Sequence, residues 1–365
     1  MKVGNSLKLI GSFLFRWIGF PIEPQLMKIG NPNSESPVLL TCNFALTVKR
    51  VLKAIQGLNC YLLIAPSNGI NVWCGACGDD FNTDSVLSII KTSGIDNLVS
   101  HRSLILPQLS APGIDPIIIK EKVGWEVKFG PVYAIDIPEY IESNYHKSDN
   151  QSIVKFPISQ KLEIGTMYFF TLFLLFSVVY WILATFLPIL NIILYISSLF
   201  IFIGIIYGSL IILPSIQTKT GKLKIWIYEI IIIILILTFN LFIIKSLFIL
   251  IWELLLSLFL TLIMAEDFHG LTPIYKSELG EKKWKQGKKK MRFLFEEYKL
   301  QPYGQIYIER EKCIGCRLCI EVCPRSVYLF NEENKKAILQ FPSKCINCNA
   351  CINRCLANCL SLKLP

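Results

Sequence analysis

Between Glu163 and Lys219 the chain carries no charged residue. A stretch of that length makes about two membrane-crossing helices at ~20 residues each, and a soluble fold could not bury it. Pro188 and Asn191 fall where the two helices would turn. A second apolar stretch, Ile225 to Ala265, is interrupted only by Glu229, Lys245 and Glu253. As one helix it would be about 60 Å long, twice the hydrocarbon thickness, so it reads as two spans meeting near Lys245, for a total of four. The mean hydropathy of +0.48 agrees with a partly membrane-embedded chain. Glu253 falls inside a span, where a carboxylate is costly and therefore a functional candidate; Glu229 lies nearer a span end and is expected to reach the interface.

Charge sets the orientation. Lys219, Lys222 and Lys224 lie between the second and third spans, and residues 276 to 292 hold eight lysines and arginines against Glu278 and Glu281. Both regions are expected on the cytoplasmic side. No apolar run followed by a small-residue cleavage site follows Lys2, Lys8 and Arg16, so the first domain is expected to stay in the cytoplasm. The net charge of +10 is then explained by topology and contact with anionic lipid, and no nucleic-acid partner is expected.

Residues 36 to 140 read as a small α/β domain. "SPVLLTC" and "CYLLIAP" look like buried strands, with "NFALTVKRVLKAIQG" a helix between them closed by Gly57. "GINVWC" reads as the next strand, Thr83 to Ser93 as a helix ending at Gly94, and "NLVS", "WEVKFG" and "VYAIDI" as shorter strands. Alternating strands and helices imply a mostly parallel sheet, whose ligands gather at strand C-terminal ends; Cys74 would lie at one. The polar stretch "IESNYHKSDNQS" reads as a linker.

The most specific chemistry lies at the other end. "CIGCRLCIEVCP" and "CINCNACINRC" are consecutive C-x2-C-x2-C-x3-C runs, the spacing of a bacterial-type α+β ferredoxin with two [4Fe-4S] clusters, in which the fourth cysteine of each run crosses to the other cluster. Cys313, Cys316, Cys319 and Cys355 would hold one cluster, and Cys345, Cys348, Cys351 and Cys323 the other. Pro324 follows the first run but Leu356 follows the second. Cys359 is left over, either a packing residue or a thiol that receives or passes on a soft metal. Oxygen-labile clusters suggest an anaerobic setting.

"NVWCGACG", residues 71 to 78, admits two readings. One is a thioredoxin-like Cys74/Cys77 dithiol fed by the clusters, in which the first cysteine's thiolate is favoured at a helix N-terminus. The other comes from a wider match: "PVLLTCNFALTVKRV", "GINVWCGACGDDFNTD" and "VSHRSLILPQLSAPG" together resemble the corrinoid-binding domain of the mercury-methylating HgcA family, itself similar to the large subunit of the corrinoid iron-sulfur protein of acetyl-CoA synthesis. "AEDFHGLTPIYKSELG" is similar to the stretch that follows the membrane domain in that family. The C-terminal ferredoxin resembles HgcB, its usual separate partner. That membrane domain usually has five spans, against four here.

The resemblance implies a base-off, cobalamin-type corrinoid with Cys74 as lower axial cobalt ligand, lined by Thr41, Asn43, Asn71 and Trp73. It also implies transfer of a methyl group to Hg(II) or another soft metal or thiol, with the ferredoxin reducing cobalt to Co(I). Partners would be the lipid bilayer, a methyl-donor methyltransferase or methyl-pterin or folate, and an upstream reductant. Where the family reads N-V/I-W-C-A-A/G-G-K, this chain has Cys77 and Gly78 in place of the glycine and lysine. Losing that lysine, with Asp79 and Asp80 following, is expected to disfavour the Cys74 thiolate; Cys77 then becomes a second soft thiol, or the acceptor is not mercury. The expected organisation is a corrinoid-binding domain over 1–140, a linker over 141–165, an α-helical transmembrane domain over 166–265, a basic cytoplasmic linker over 266–310 and a two-cluster ferredoxin over 311–365. The whole would be a multi-pass protein of the cell membrane with both soluble parts in the cytoplasm.

Overall fold

A computed structural model describes residues 6–16, 18–212, 221–244, 246–266, 290–293, 296–299 and 305–363. The chain forms two compact units, one of Met1–Ser12, Arg16–Val154 and Trp284–Pro365, the other of Phe13–Phe15 and Lys155–Lys283.

In the first unit, a short helix α1 (Ser6–Leu14) precedes a five-stranded sheet of order β1-β3-β2-β4-β5. The strands are β1 (Gln25–Ile29), β2 (Val38–Cys42), β3 (Cys60–Ala65), β4 (Ser103–Leu106) and β5 (Glu126–Phe129). All pairs are parallel except β1 with β3. Every residue of β2 and β3 is buried, as continuous apolar runs in the middle of a two-faced parallel sheet must be. Helices α2 (Ala45–Ala54), α3 (Val72–Gly78), α4 (Thr83–Ser93), α5 (Pro116–Val123) and α6 (Ile137–Glu142) cover it. Leu39, Val48, Val51, Ile55, Leu62, Ile64 and Ile105 form one core cluster. As expected, α4 starts after Asn82, which caps Ser85 N–H, and stops at left-handed Gly94.

Three expected strands are absent. "GINVWC" gives way at Asn71, whose side chain accepts the Cys74 N–H at 3.1 Å and starts α3; this local cap overrides the strand preference of Val72 and Trp73. "NLVS" leaves a 3-10 turn over Ile95–Asn97 and runs on without regular structure, and the strand begins only at Ser103. "VYAIDI" becomes a 3-10 turn over Ala134–Asp136 and then α6, where Pro138 occupies the first turn and has no N–H to give a ladder. The stretch read as a linker is folded: Ser148 and Gln151 form a capping box, and Gln108 Nε2 donates to the Ser152 carbonyl at 2.8 Å.

The ferredoxin-like part has two antiparallel pairs, β8 (Gln305–Ile308) with β11 (Leu360–Lys363) and β9 (Tyr328–Asn331) with β10 (Lys336–Leu339). It also has helices α11 (Leu318–Val322) and α12 (Ala350–Asn353). A hairpin of β6 (Lys290–Phe293) and β7 (Glu296–Lys299) precedes them. The β8–β11 pair starts ahead of residue 311, the expected boundary.

The second unit holds α7 (Ile158–Ala184), α8 (Ile192–Ile211), α9 (Gly221–Phe239, continued by a π-helical turn over Asn240–Ile244) and α10 (Leu247–Glu266). Helix α7 begins inside the segment expected to be linker. Among the described residues, α7, α8 and Leu247–Met264 of α10 are long and apolar enough to cross a membrane, and the apolar helix Trp226–Phe242 is shorter. Asn191 caps α8, and Tyr180 OH donates to its carbonyl at 2.7 Å; Lys245 and His269 lie outside the described residues. Contrary to expectation, Glu229 does not reach outward: it is buried and accepts from Ser257 at 3.0 Å and Thr261 at 2.6 Å on α10. Glu253 is buried as well.

Leu62 is fully buried in the middle of the sheet. Leu62→Ala should cost about 2–5 kcal/mol, read as lost hydrogen-exchange protection across β2 and β3.

Candidate functional site

Asn43, at the C-terminal end of β2, organises the approach to the Cys74 motif. Its Oδ1 accepts from Ser67 N–H (3.0 Å), Ser67 Oγ (2.9 Å) and Gly69 N–H (3.0 Å), while Nδ2 donates to the Ile22 carbonyl at 2.9 Å. The loop from β3 to α3 is thus fixed by one amide. Gly69 sits at φ 72°, and a Cβ there would collide with the Phe20 and Pro21 backbone, so the loop tolerates no side chain at that point. Asn43, expected to line a cofactor, has its acceptor oxygen used three times within this loop.

Thr41, one residue before the end of β2, is 1% exposed. Its hydroxyl has no oxygen or nitrogen partner among the described residues and interacts only with the Cys42 sulfur. A buried hydroxyl at a strand C-terminal end with only a weak sulfur partner is a group that a polar ligand atom would satisfy better, which fits a bound corrinoid.

Cys74 is half-buried in the first turn of α3. Arg16 lies within electrostatic reach of it, and Arg50 within reach of Arg16. Burial, with repulsion from Arg50, lowers Arg16 to about 10, and the Cys74 charge opposes that shift. Arg16 is thus a cation within electrostatic reach of Cys74, in a chain that has Gly78 where the motif carries lysine. Asp79 and Asp80 are occupied locally: Asp80 Oδ1 accepts from Asn68 Nδ2 at 2.8 Å, and Asp79 accepts from Asn82 Nδ2. Sequence reasoning missed Arg16 because nothing in a run of residues announces a neighbour almost sixty positions away.

Cys77 is different. Burial pushes its thiol well above the usual range, and the charges of Cys348 and Cys74 add to the shift. A dithiol exchange site needs the opposite.

The two cysteine runs bring their thiols together in two sets. Cys319 interacts electrostatically with Cys316, Cys313 and Cys355, and Cys351 with Cys348, Cys323 and Cys345. The latter four line one cavity with Tyr328 and Val327. Burial raises Cys345 to about 11 and Cys319 and Cys348 to about 12, so a metal that binds them displaces protons. Thiolate-only donor sets in desolvated surroundings fit iron–sulfur clusters. The two binding loops repeat one backbone design, with positive φ at Gly315 and Asn347, and again at Arg317 and Asn349. At Gly315 a Cβ would strike the Lys335 carbonyl. Cys359 is buried, with its sulfur 3.3 Å from that of Cys355.

The ferredoxin-like part packs on the sheet domain within the same unit. The Val154 N–H donates to the Pro324 carbonyl at 3.0 Å, and Asn353 Nδ2 to the Pro112 carbonyl at 2.9 Å. Lys147 Nζ bridges Gln108 Oε1 (2.8 Å) and the Glu321 carbonyl (3.1 Å). Arg354 lies 5.4 Å from the Phe129 ring centre and Arg325 5.9 Å from that of Trp73. Trp73, expected to pack on a macrocycle, is 8% exposed beneath Arg325.

Residues 20–141 match the family described as CO dehydrogenase/acetyl-CoA synthase delta subunit, and residues 305–356 match the 4Fe-4S dicluster domain. Curated relatives include the gamma subunit of the acetyl-CoA decarbonylase/synthase complex of Methanocaldococcus jannaschii, 34% identical over 128 residues, covering 34% of this chain and 26% of the relative. The corresponding subunit of Methanopyrus kandleri is 32% identical over 123 residues, covering 33% and 26%. The gamma 2 subunit of Methanosarcina mazei is 34% identical over 128 residues, covering 34% and 27%. The chain thus spans about a quarter of the length of these relatives. It carries a domain similar to theirs, and a dicluster domain outside the matched region.

Two outcomes follow. Asn43→Ala should cost about 1–3 kcal/mol from the donors left unpaired and raise hydrogen exchange at 67–71 selectively. Burial lowers Lys147 from 10.5 to about 8, so its protonation opposes the folded contact. That cost is fully present below about pH 8 and is relieved as pH rises towards 10.5; stability should climb over that window, and Lys147→Met should flatten the climb in thermal scans.

Proposed function

We propose that the chain is a membrane-anchored corrinoid methyl carrier with its own ferredoxin. The observation that carries the reading is a half-buried Cys74 beside Arg16, at the ligand edge of a parallel sheet, in a domain similar to a family of acetyl-CoA synthesis. A bound corrinoid would supply a methyl-bearing cobalt, and two [4Fe-4S] clusters the low-potential electrons that return it to Co(I).

The residues do the rest. Asn71 fixes the Cys74 backbone through its N–H, Asn43 fixes the loop that delivers it, and the Arg16 guanidinium would favour Cys74 as the thiolate that would hold cobalt. As a strong donor, the Cys74 thiolate would favour release of a methyl group from a cobalt it held. Thr41 offers its hydroxyl to the corrinoid periphery. The acceptor in this reading is Hg(II) or another soft metal or thiol, with Cys359 beside Cys355 as a soft thiol for delivery. The methyl donor is a methyltransferase or a methyl-pterin or folate, and an upstream donor reduces the clusters. The helices of the second unit hold the chain in the cell membrane with both soluble parts in the cytoplasm. The thioredoxin-like alternative is disfavoured by the raised Cys77 thiol.

The test is anaerobic purification of the full chain with cobalamin, comparing visible spectra of wild type, Cys74→Ala and Cys77→Ala. Retention of base-off cobalamin, with a cobalt spectrum altered only by Cys74→Ala, is the expected result, and methyl transfer to Hg(II) is then assayed. No retained corrinoid, with Cys74 and Cys77 titrating as one reversible dithiol, would sink the proposal in favour of dithiol exchange.

A further inference from the structure

Two quartets of thiols could each pass electrons onward, and the packing distinguishes them. Both chain segments that carry the Cys323/Cys345/Cys348/Cys351 quartet meet α3. On the first, Cys323 is followed by Pro324, whose carbonyl accepts the Val154 N–H at 3.0 Å, and by Arg325, which is 4% exposed with its guanidinium 5.9 Å from the Trp73 ring centre. On the second, Cys348 is within electrostatic reach of Cys77. Trp73 and Cys77 flank Cys74 on the same seven-residue helix. Contacts beside the other quartet fall elsewhere on the sheet domain: Lys147 Nζ donates to the carbonyl of Glu321, between Cys319 and Cys323, and Arg354, which feels Cys316, lies over Phe129 of β5.

We propose that the quartet Cys323, Cys345, Cys348 and Cys351 holds the exit cluster, which passes its electron to the corrinoid site across the Trp73–Arg325 contact, and that Arg325 is the positioning residue of this junction. The quartet Cys313, Cys316, Cys319 and Cys355 is then the entry cluster, filled by an external low-potential one-electron donor. In the step, one electron leaves the reduced exit cluster, taking it from [4Fe-4S]1+ to [4Fe-4S]2+, and one Co(II) becomes Co(I); no proton moves and no bond to the protein is made. Cys77, where relatives of the motif carry glycine, thereby gains a half-buried place in the wall between donor and acceptor, needing no thiolate.

This inference rests on the corrinoid reading, and two measurements separate their fates. The first uses no cobalamin: hydrogen exchange of residues 72–78 is compared between the cluster-loaded full chain and Arg325→Glu, with iron content as the control for folding. Faster exchange in the variant at unchanged iron content is expected, and equal exchange overturns the junction. The second is EPR of the cobalamin-loaded chain poised with cobalt as Co(II) and the clusters reduced. Relaxation of the cobalt signal by a neighbouring reduced cluster should persist in Cys316→Ser, and should be lost in Cys348→Ser and weakened in Arg325→Glu. The last of these leaves all eight cluster thiols in place, should the ligand variants fail to load. Coupling that survives Cys348→Ser and vanishes in Cys316→Ser overturns the assignment while leaving the corrinoid reading standing. A wild type that retains no cobalamin overturns both.

Discussion

Everything at the sheet's ligand edge depends on how the Asn43 amide is spent. A parallel sheet leaves loop backbone without partners at the ends of its strands, and here one side chain gathers Ser67, Gly69 and Ile22 onto itself. Because that loop is pinned, the helix after it can be only seven residues long and still present Cys74 in a fixed place. A helix so short has little stability of its own; its rigidity is borrowed from the loop and from the Asn71 cap.

The ferredoxin-like part shows the same economy in a different form. Its two binding loops each need two residues with positive φ, and the sequence meets that need with Gly315 in one and asparagines in the other, the residue types that tolerate the left-handed region. Arg317 is an exception that the structure holds in place by stacking on Phe330 at 3.7 Å and a forked bond to Glu332 at 2.9 and 3.1 Å. The two loops thus reach matching left-handed positions by different residue types.

What could be read from the sequence was whatever is local and repetitive. The buried strands "VLLTC" and "CYLLIA", the helix that stops at Gly94 and the turn at Asn191 follow from periodicity and end signals within a dozen residues. In "GINVWC" the strand preference of Val72 and Trp73 masks the stronger Asn71 cap, and in "IESNYHKSDNQS" polar composition hides a capping box. Arg16 beside Cys74, Arg325 over Trp73 and the hub role of Asn43 lay beyond reach altogether: each joins positions separated by tens to hundreds of residues, and pairing of that kind is a property of the fold. Glu229 shows the same limit inside the helical unit, where proximity to a span end said nothing about the two hydroxyls waiting on the neighbouring helix.

Those two hydroxyls bear on how the chain is made. In the proposed membrane setting, α9 alone would place an unpartnered carboxylate in hydrocarbon at a cost of about 2.5–3.5 kcal/mol on an insertion scale, and its apolar part is also the shortest of the four helices. Its partners, Ser257 and Thr261, belong to α10 and leave the ribosome some thirty residues later. Helix α9 is therefore a poor client for insertion by itself and a good one as half of a hairpin, held at the translocon until α10 arrives. The hydrogen bonds that settle the packing of the finished bundle would also set the order of its biogenesis.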